Sequence, residues 1–117
     1  MVEENKTTNS KKLPDYVEEG KLPVDIYETD NEFVIRAAIA GTKQEDLDIS
    51  IVNDLITIRG VREEPEEPEP KKYIKRECYW GPFSRTCVLP ENIDADNSKA
   101  VLNSKGVLTI RFPKKQE

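Results

Sequence analysis

The sequence predicts an all-β sandwich, and three observations carry that prediction. From Leu22 onward, apolar and polar residues alternate in seven or eight short runs, as they do in half-buried strands. Turn-forming residues separate these runs at regular intervals, and no segment sustains a helical period. The chain has 117 residues, of which 36% are hydrophobic and 35% charged, so it can build one domain around a thin core.

The predicted strands share this alternation and have a turn signal at their boundaries. In chain order they cover residues 23–28, 33–39, 47–52, 55–60, 72–79, 83–90, 99–103 and 107–113. Asn53 and Asp54 supply the turn of a hairpin between the third and fourth strands. A turn at residues 104–106 joins the last two strands into a second hairpin, which aligns Ile110 and Phe112 on one face.

Other regions differ from these strands in composition. Residues 63–70 read EEPEEPEP, and because proline lacks an N–H donor this segment is predicted to be an extended, solvated lead-in. The strand predicted for residues 72–79 is heavily charged, which favours a sheet edge or a position away from the core. Residues 1–21 have few apolar groups and predict a flexible N-terminal arm, before a domain at 22–113 and a very short C-terminal tail at 114–117.

The residue types present exclude most kinds of catalytic and metal site. The chain contains no histidine and only two cysteines, Cys78 and Cys87, so the usual zinc ligands and the commonest general base are missing. No carboxylate pair stands out from the solvated charges, and no Gly-rich phosphate loop is present. We therefore predict a protein that is not an enzyme and has no cofactor, no catalytic residues and no metal ligands.

Charge and hydropathy restrict the partners and the location. The net charge is −5 and no basic cluster is interleaved with aromatic residues, which argues against nucleic acid as a partner. No run approaches the ~20 apolar residues of a membrane span, and no apolar leader follows the first charges. A cytoplasmic protein is therefore predicted. In that compartment Cys78 and Cys87 are predicted to be reduced rather than joined in a disulfide.

Four segments, in order, carry a resemblance to a known family. They read VDIYETDNEFVIRAAIAG, DLDISIVNDLITIRG, GPFSRTCVLPENID and AVLNSKGVLTIRF. Together they cover roughly residues 22–113 and resemble the small heat-shock protein family, whose α-crystallin domain is an immunoglobulin-like sandwich. The last segment is similar to the family's Ala-x(n)-Gly-Val-Leu signature, with a longer spacing between Ala100 and Gly106 than the bacterial form usually has.

The resemblance implies an ATP-independent chaperone that binds unfolding client proteins and prevents their aggregation. It also implies a homodimer in which the strand at residues 72–79 crosses to the first strand of the partner subunit. A charged flap that packs nowhere in particular is the alternative for that segment. The dimer-interface residues that the resemblance implies are Val24, Ile26, Tyr73, Ile74, Lys75, Arg76 and Cys78.

An apolar groove between two sheet edges, for clients or tails, is also implied by the resemblance. Arg85 lies in the family's Phe-x-Arg pattern on the same face as Phe83, and an inward-facing arginine needs a carboxylate, so a structural ion pair is expected. The groove residues, which could alternatively be plain core, are Leu47, Ile49, Ile51, Ala100, Val101 and Leu102.

Two further points concern assembly. Family members usually continue into an Ile-x-Ile/Val tail, whereas this sequence stops at Glu117, so we expect dimers or small assemblies rather than large shells. The alternative function is a co-chaperone-type adaptor sandwich that binds one defined protein partner. Such an adaptor would be monomeric and lack the crossing strand, so size-exclusion chromatography separates the two hypotheses.

Overall fold

The computed structural model describes residues 20–116, and nearly all of its regular structure is β-strand. Within that range, Gln44–Asp46 and Ala95–Asn97 form short 3-10 turns. The strands are Gly20–Lys21 (β1), Asp25–Glu28 (β2), Glu32–Ala38 (β3), Asp48–Val52 (β4), Leu55–Arg62 (β5), Gly81–Val88 (β6), Lys99–Leu102 (β7) and Val107–Pro113 (β8).

These strands form two four-stranded sheets, in the orders β1-β6-β5-β4 and β2-β3-β8-β7. Neighbouring strands are antiparallel except β1, which runs parallel to β6. Both predicted hairpins are present: β4 pairs with β5 across Asn53 and Asp54, and β7 pairs with β8. Asn53 has a φ of 59°, a conformation that asparagine tolerates in turns. The all-β sandwich predicted from the sequence is confirmed.

The core lies between the two sheets and is apolar. Ile56 and Ile58 of β5, together with Ile110 and Phe112 of β8, are at most 2% exposed. The ring of Phe33 packs against Phe112 with 6.0 Å between centroids. Since burial of one large apolar side chain contributes about 1.5–3 kcal/mol, this layer is the main source of stability.

The link between β1 and β2 determines which sheet edges lie side by side. β1 is the outer strand of one sheet and β2 of the other, and only residues 22–24 join them. Three residues span about 10 Å, the distance between packed sheets, so these two edges lie on the same side of the sandwich. Leu22 closes that side, because it is 3% exposed and its N–H donates to the Ser84 carbonyl. β4 and β7, the remaining edges, therefore lie together on the opposite side.

The turn between β7 and β8 is tightly bonded. The side-chain oxygen of Asn103 accepts hydrogen bonds from two main-chain N–H groups of the turn, at 2.9 and 3.0 Å. Gly106 has a φ of 83°, and a Cβ there would lie 2.6 Å from the Cα of Ala40, so the position requires glycine. The Ile39 N–H donates to the Gly106 carbonyl at 2.7 Å, which attaches the segment leading to β4 to this hairpin.

The structure differs from the sequence prediction at both ends and in the long loop. Gly20 and Lys21, predicted as part of the arm, form β1, while the rest of the predicted arm lies outside the described residues. None of residues 63–80 belongs to a strand, so the strand predicted at 72–79 is not formed within this chain. The first two residues of the predicted tail are bonded to the domain, since the N–H groups of Lys114 and Lys115 donate to loop carbonyls.

Candidate protein-binding surfaces

The first candidate surface is the outer edge of β2. In the described chain, β2 pairs with β3 and ends its sheet, so one side of its backbone is open to another strand. Ile26 lies opposite the buried Ile35, on the core-facing side, yet is 46% exposed. Val24 precedes the strand, is half-buried and packs against the core. Of the two predicted receiving residues, Ile26 therefore supplies the exposed apolar group.

The second candidate surface is the loop between β5 and β6, residues 63–80. The buried apolar residues of the described chain include none from this loop. Ile74 is 91% exposed and Tyr73 46%, while Cys78 is also exposed. Lys75 pairs with Glu77 at 3.6 Å, and both of these side chains are largely solvated. The predicted interface residues of this segment are thus accessible, but they do not form the predicted strand.

Contacts to Glu64 organise this loop. Arg76 donates to both carboxylate oxygens, at 2.8 and 3.2 Å, and the Tyr73 hydroxyl donates to the same carboxylate. The Arg76 guanidinium carbon lies 4.2 Å from the centroid of the Tyr73 ring. The hydrogen bonds from Arg76 and then Tyr73 hold the pKa of Glu64 below its ordinary value, and the Glu64 hydrogen bond raises the pKa of Arg76. We call Glu64, Tyr73 and Arg76 the clasp.

The third candidate surface lies between the edge strands β4 and β7. Leu47, Ile51 and Leu102 are half-buried and pack against the core, so each keeps part of its apolar surface in solvent. We call these three residues the apolar strip. Ile49 was also predicted to line the groove, but it is only 8% exposed and belongs to the core. The β4 wall therefore consists of Leu47 and Ile51.

On β7, the register separates the other two predicted groove residues. Ala100 lies opposite the buried Ile110 and is therefore on the core-facing side, where it remains exposed at the rim. Val101 lies opposite Thr109 on the outer face of the sheet and is 59% exposed. Because successive side chains of a strand point to opposite faces, Val101 cannot line the same groove as Ala100 and Leu102. The prediction for Val101 is corrected accordingly.

Arg85 has a different partner from the one predicted. Its guanidinium donates to the main-chain carbonyl of Leu22 at 2.9 Å, and no carboxylate contact of Arg85 is found among residues 20–116. A carbonyl oxygen accepts the N–H without the cost of burying a second charge. The side chain thereby ties β6 to the link between β1 and β2, so a main-chain hydrogen bond takes the place of the expected ion pair.

The two cysteines are free, with Cys78 exposed and Cys87 buried. Cys78 lies in the loop between β5 and β6, outside any strand, whereas Cys87 lies in β6, so the two residues are not strand partners.

The family model that describes the Hsp20/alpha crystallin family matches residues 25–117. This chain belongs to that family. Small heat shock protein C2 of Rickettsia felis is 41% identical over 93 residues, which cover 80% of this chain and 60% of that protein. Small heat shock protein C4 of the same organism is 33% identical and is covered over 56% of its length. The chain thus spans little more than half the length of these relatives.

Solved structures of small heat-shock proteins have the same fold. The protein from Xylella fastidiosa has a TM-score of 0.72 and 31% identity, over 82% of this chain and 87% of that one. The hspA protein of Xanthomonas axonopodis has a TM-score of 0.71 and 32% identity, over 83% and 96% of the two chains.

The Hsp20 family is a family of chaperones. Among the described residues, no helix has the length and apolar character needed to cross a bilayer.

Two residues of the long loop were missed by sequence reasoning. Glu64 stands in an acidic run and carries no signal that separates it from its neighbours. Tyr79 accepts a hydrogen bond from the Gly20 N–H at 3.2 Å and donates to the Pro82 carbonyl. It therefore holds the start of β1 against the start of β6. The contacts of Glu64, and the contact between Tyr79 and Gly20, join residues far apart in sequence. The contact between Tyr79 and Pro82 depends on the bend at Gly81. No local sequence pattern predicts any of them.

Proposed function

We propose that this Hsp20-family chain is an ATP-independent holdase that binds partly unfolded client proteins and prevents their aggregation. The observation that carries the proposal is the apolar strip, which is left open between β4 and β7. Removing apolar surface from water contributes about 25 cal/mol per Å², and exposed apolar surface distinguishes an unfolding client from a native protein. Such capture requires neither a nucleotide nor a covalent step.

The proposed working unit is a homodimer in which residues 72–78 of one subunit pair with β2 of the other. Two features support it: β2 ends its sheet with Ile26 exposed, and Ile74 is 91% exposed in the loop. Strand addition would satisfy main-chain groups of both segments and bury both isoleucines. Two-fold symmetry would make the exchange reciprocal. The proposed place of action is the cytoplasm.

An aggregation assay with two matched variants tests the holdase. A heat-labile client is warmed without ATP, and its light scattering is followed with the wild type, Ala100→Asp or Val101→Asp. The two substitutions add the same charge at adjacent exposed positions of β7, on opposite faces of the sheet. We expect the wild type and Val101→Asp to suppress scattering. Ala100→Asp should need about tenfold more protein, because a carboxylate at the rim must be desolvated when a client covers the strip.

Two results would contradict the proposal at different levels. Unchanged scattering with a several-fold excess of wild type would remove the holdase assignment and leave only the fold. Equal activity of all three proteins would mean that clients bind elsewhere than at the apolar strip.

A further inference from the structure

The clasp has a geometry that conflicts with a strand. Tyr73 and Arg76 are three residues apart, and both side chains converge on one carboxylate of Glu64. In an extended strand, residues i and i+3 point to opposite faces, and their Cα atoms are about 10 Å apart. The Arg76 guanidinium, however, lies 4.2 Å from the centre of the Tyr73 ring. A closed clasp therefore holds residues 73–76 in a bent, non-strand conformation.

The anchor of the clasp is close to the sandwich. Glu64 follows the last residue of β5 by two positions, and Lys43 pairs with the adjacent Glu63 at 3.8 Å. Glu64 is the least solvated member of the ion pair, with 31% of its side chain exposed against 45% for Arg76. The clasp thus ties the middle of the loop back to its own subunit, whereas strand exchange needs the same segment to extend toward another subunit.

We propose that the clasp is an autoinhibitory contact that keeps the dimerisation segment, residues 72–78, in a monomer conformation until it opens. The inference rests on the proposed strand-exchanged dimer and adds its regulation. Opening frees Tyr73 and Arg76 to alternate along an extended strand, and the lost intrachain contacts are replaced by pairing with β2 of a second copy. The monomer–dimer equilibrium then depends on which of two partners binds residues 72–78: the Glu64 carboxylate of the same subunit or the β2 edge of a second copy.

The size of the effect follows from the exposure of the contacts. Exposed ion pairs contribute little individually, so each closed clasp should shift the equilibrium about threefold. Two clasps must open to form one two-fold dimer, so their joint effect is about tenfold on the dimer dissociation constant. Screening weakens such contacts, so the effect should diminish at about 1 M salt, where the Debye length is near 3 Å.

Two charge-matched variants and a proline variant test the proposal on the full chain. Glu64→Lys places a cation beside Arg76 and opens the clasp. Glu66→Lys makes the same change in net charge at an exposed loop position outside the clasp. Ile74→Pro removes a main-chain donor and disfavours strand pairing without touching the core. Dimer dissociation constants come from dilution series in analytical ultracentrifugation.

We expect Glu64→Lys to dimerise about tenfold more tightly than Glu66→Lys, and Ile74→Pro to be monomeric. If the dimer dissociation constant of Glu64→Lys is equal to or larger than that of Glu66→Lys while Ile74→Pro is monomeric, the autoinhibitory role of the clasp is wrong. The proposed strand-exchanged dimer would then still stand. Retention of the wild-type dimer by Ile74→Pro would instead overturn the dimer mode, and the autoinhibition with it. The two failures are therefore distinguishable.

Discussion

The sandwich and the loop at residues 63–80 belong to one domain but are stabilised by different kinds of contact. In the sandwich, side chains such as Ile56, Ile110 and Phe112 are at most 2% exposed and two sheets share one apolar layer. In the loop, the described contacts are ion pairs, hydrogen bonds and cation–π contacts between partly solvated side chains. A buried contact of the first kind contributes about 1.5–3 kcal/mol per large side chain, and a solvated contact of the second kind about 1 kcal/mol or less.

Because of this difference, the stability of the sandwich and the conformation of the loop can change independently of each other. The sandwich can persist while the loop changes conformation, because the core includes no loop residue. The loop can also exchange partners at low cost, since its contacts are individually weak. Under the proposed function, such a division would let the binding of a second subunit or a client reorganise one segment without unfolding the domain.

The largest expected effect is on the sandwich. Phe112→Ala should lower the free energy of unfolding by about 3–5 kcal/mol, because it leaves a cavity in the shared layer beside Phe33. Ile74→Ala, which removes an equally apolar side chain from the loop, should change it by less than about 0.5 kcal/mol in the monomer. Urea denaturation, at protein concentrations below the dimer dissociation constant, measures the free energy of unfolding of both variants. Comparable losses in the two variants would mean that the loop is part of the cooperative core.

The same division explains what the sequence could predict. The strands around Ile35, Ile58 and Ile110 were predicted well, because each buries alternate residues and the periodicity records that burial directly. The hairpin at Asn53 was predicted because turn chemistry is local. The two-residue β1 was not predicted, since its pairing with β6 depends on Leu22 and Tyr79, which are distant in sequence from each other.

The exposure and strand structure of the candidate surfaces were predicted less completely than the fold. Residues 72–79 have strand propensity, but a strand also needs a neighbour, and within this chain Glu64 holds Tyr73 and Arg76 in a bend. Alternation gives the face of each residue but not its exposure, so Ile49 was assigned to the groove although the core covers it. Val101 could have been separated from Leu102 by strand parity alone.

A smaller effect is expected at the junction of the two regions. Tyr79→Phe removes the acceptor of the Gly20 N–H and the donor to Pro82 while it keeps the ring. The local stability at the start of β1 should fall by about 1 kcal/mol, which accelerates amide hydrogen exchange at Gly20 about fivefold. The free energy of unfolding of the whole domain should change little. Tyr73→Phe is the matched control, because it makes the same chemical change within the clasp. Equal acceleration in both variants would show that Tyr79 does not anchor β1.

The smallest expected effect concerns pH and the clasp. The hydrogen bonds from Arg76 and Tyr73, with the nearby charge of Lys71, favour ionised Glu64 and lower its pKa in the closed clasp relative to the open one. For a lowered carboxyl pKa, the stabilisation of the closed form is fully present above the pKa of the open form, from about pH 5 upward. It is lost as the pH falls through the lowered value. Between about pH 5 and pH 8 this carboxyl should therefore leave the clasp closed.

Carbon NMR of the Glu64 carboxyl group measures this titration directly. Its midpoint should rise in Arg76→Gln, which removes the largest cause of the lowered pKa, and rise less in Tyr73→Phe, which removes the second. Because the loop makes no contribution to the buried core, both titrations can be followed on a folded domain. An unchanged midpoint in Arg76→Gln would show that the Glu64 to Arg76 contact is not maintained in solution. Residues 73–76 would then differ from the sandwich in lacking a fixed ion pair to the start of the loop, while the contacts of Tyr79 could remain.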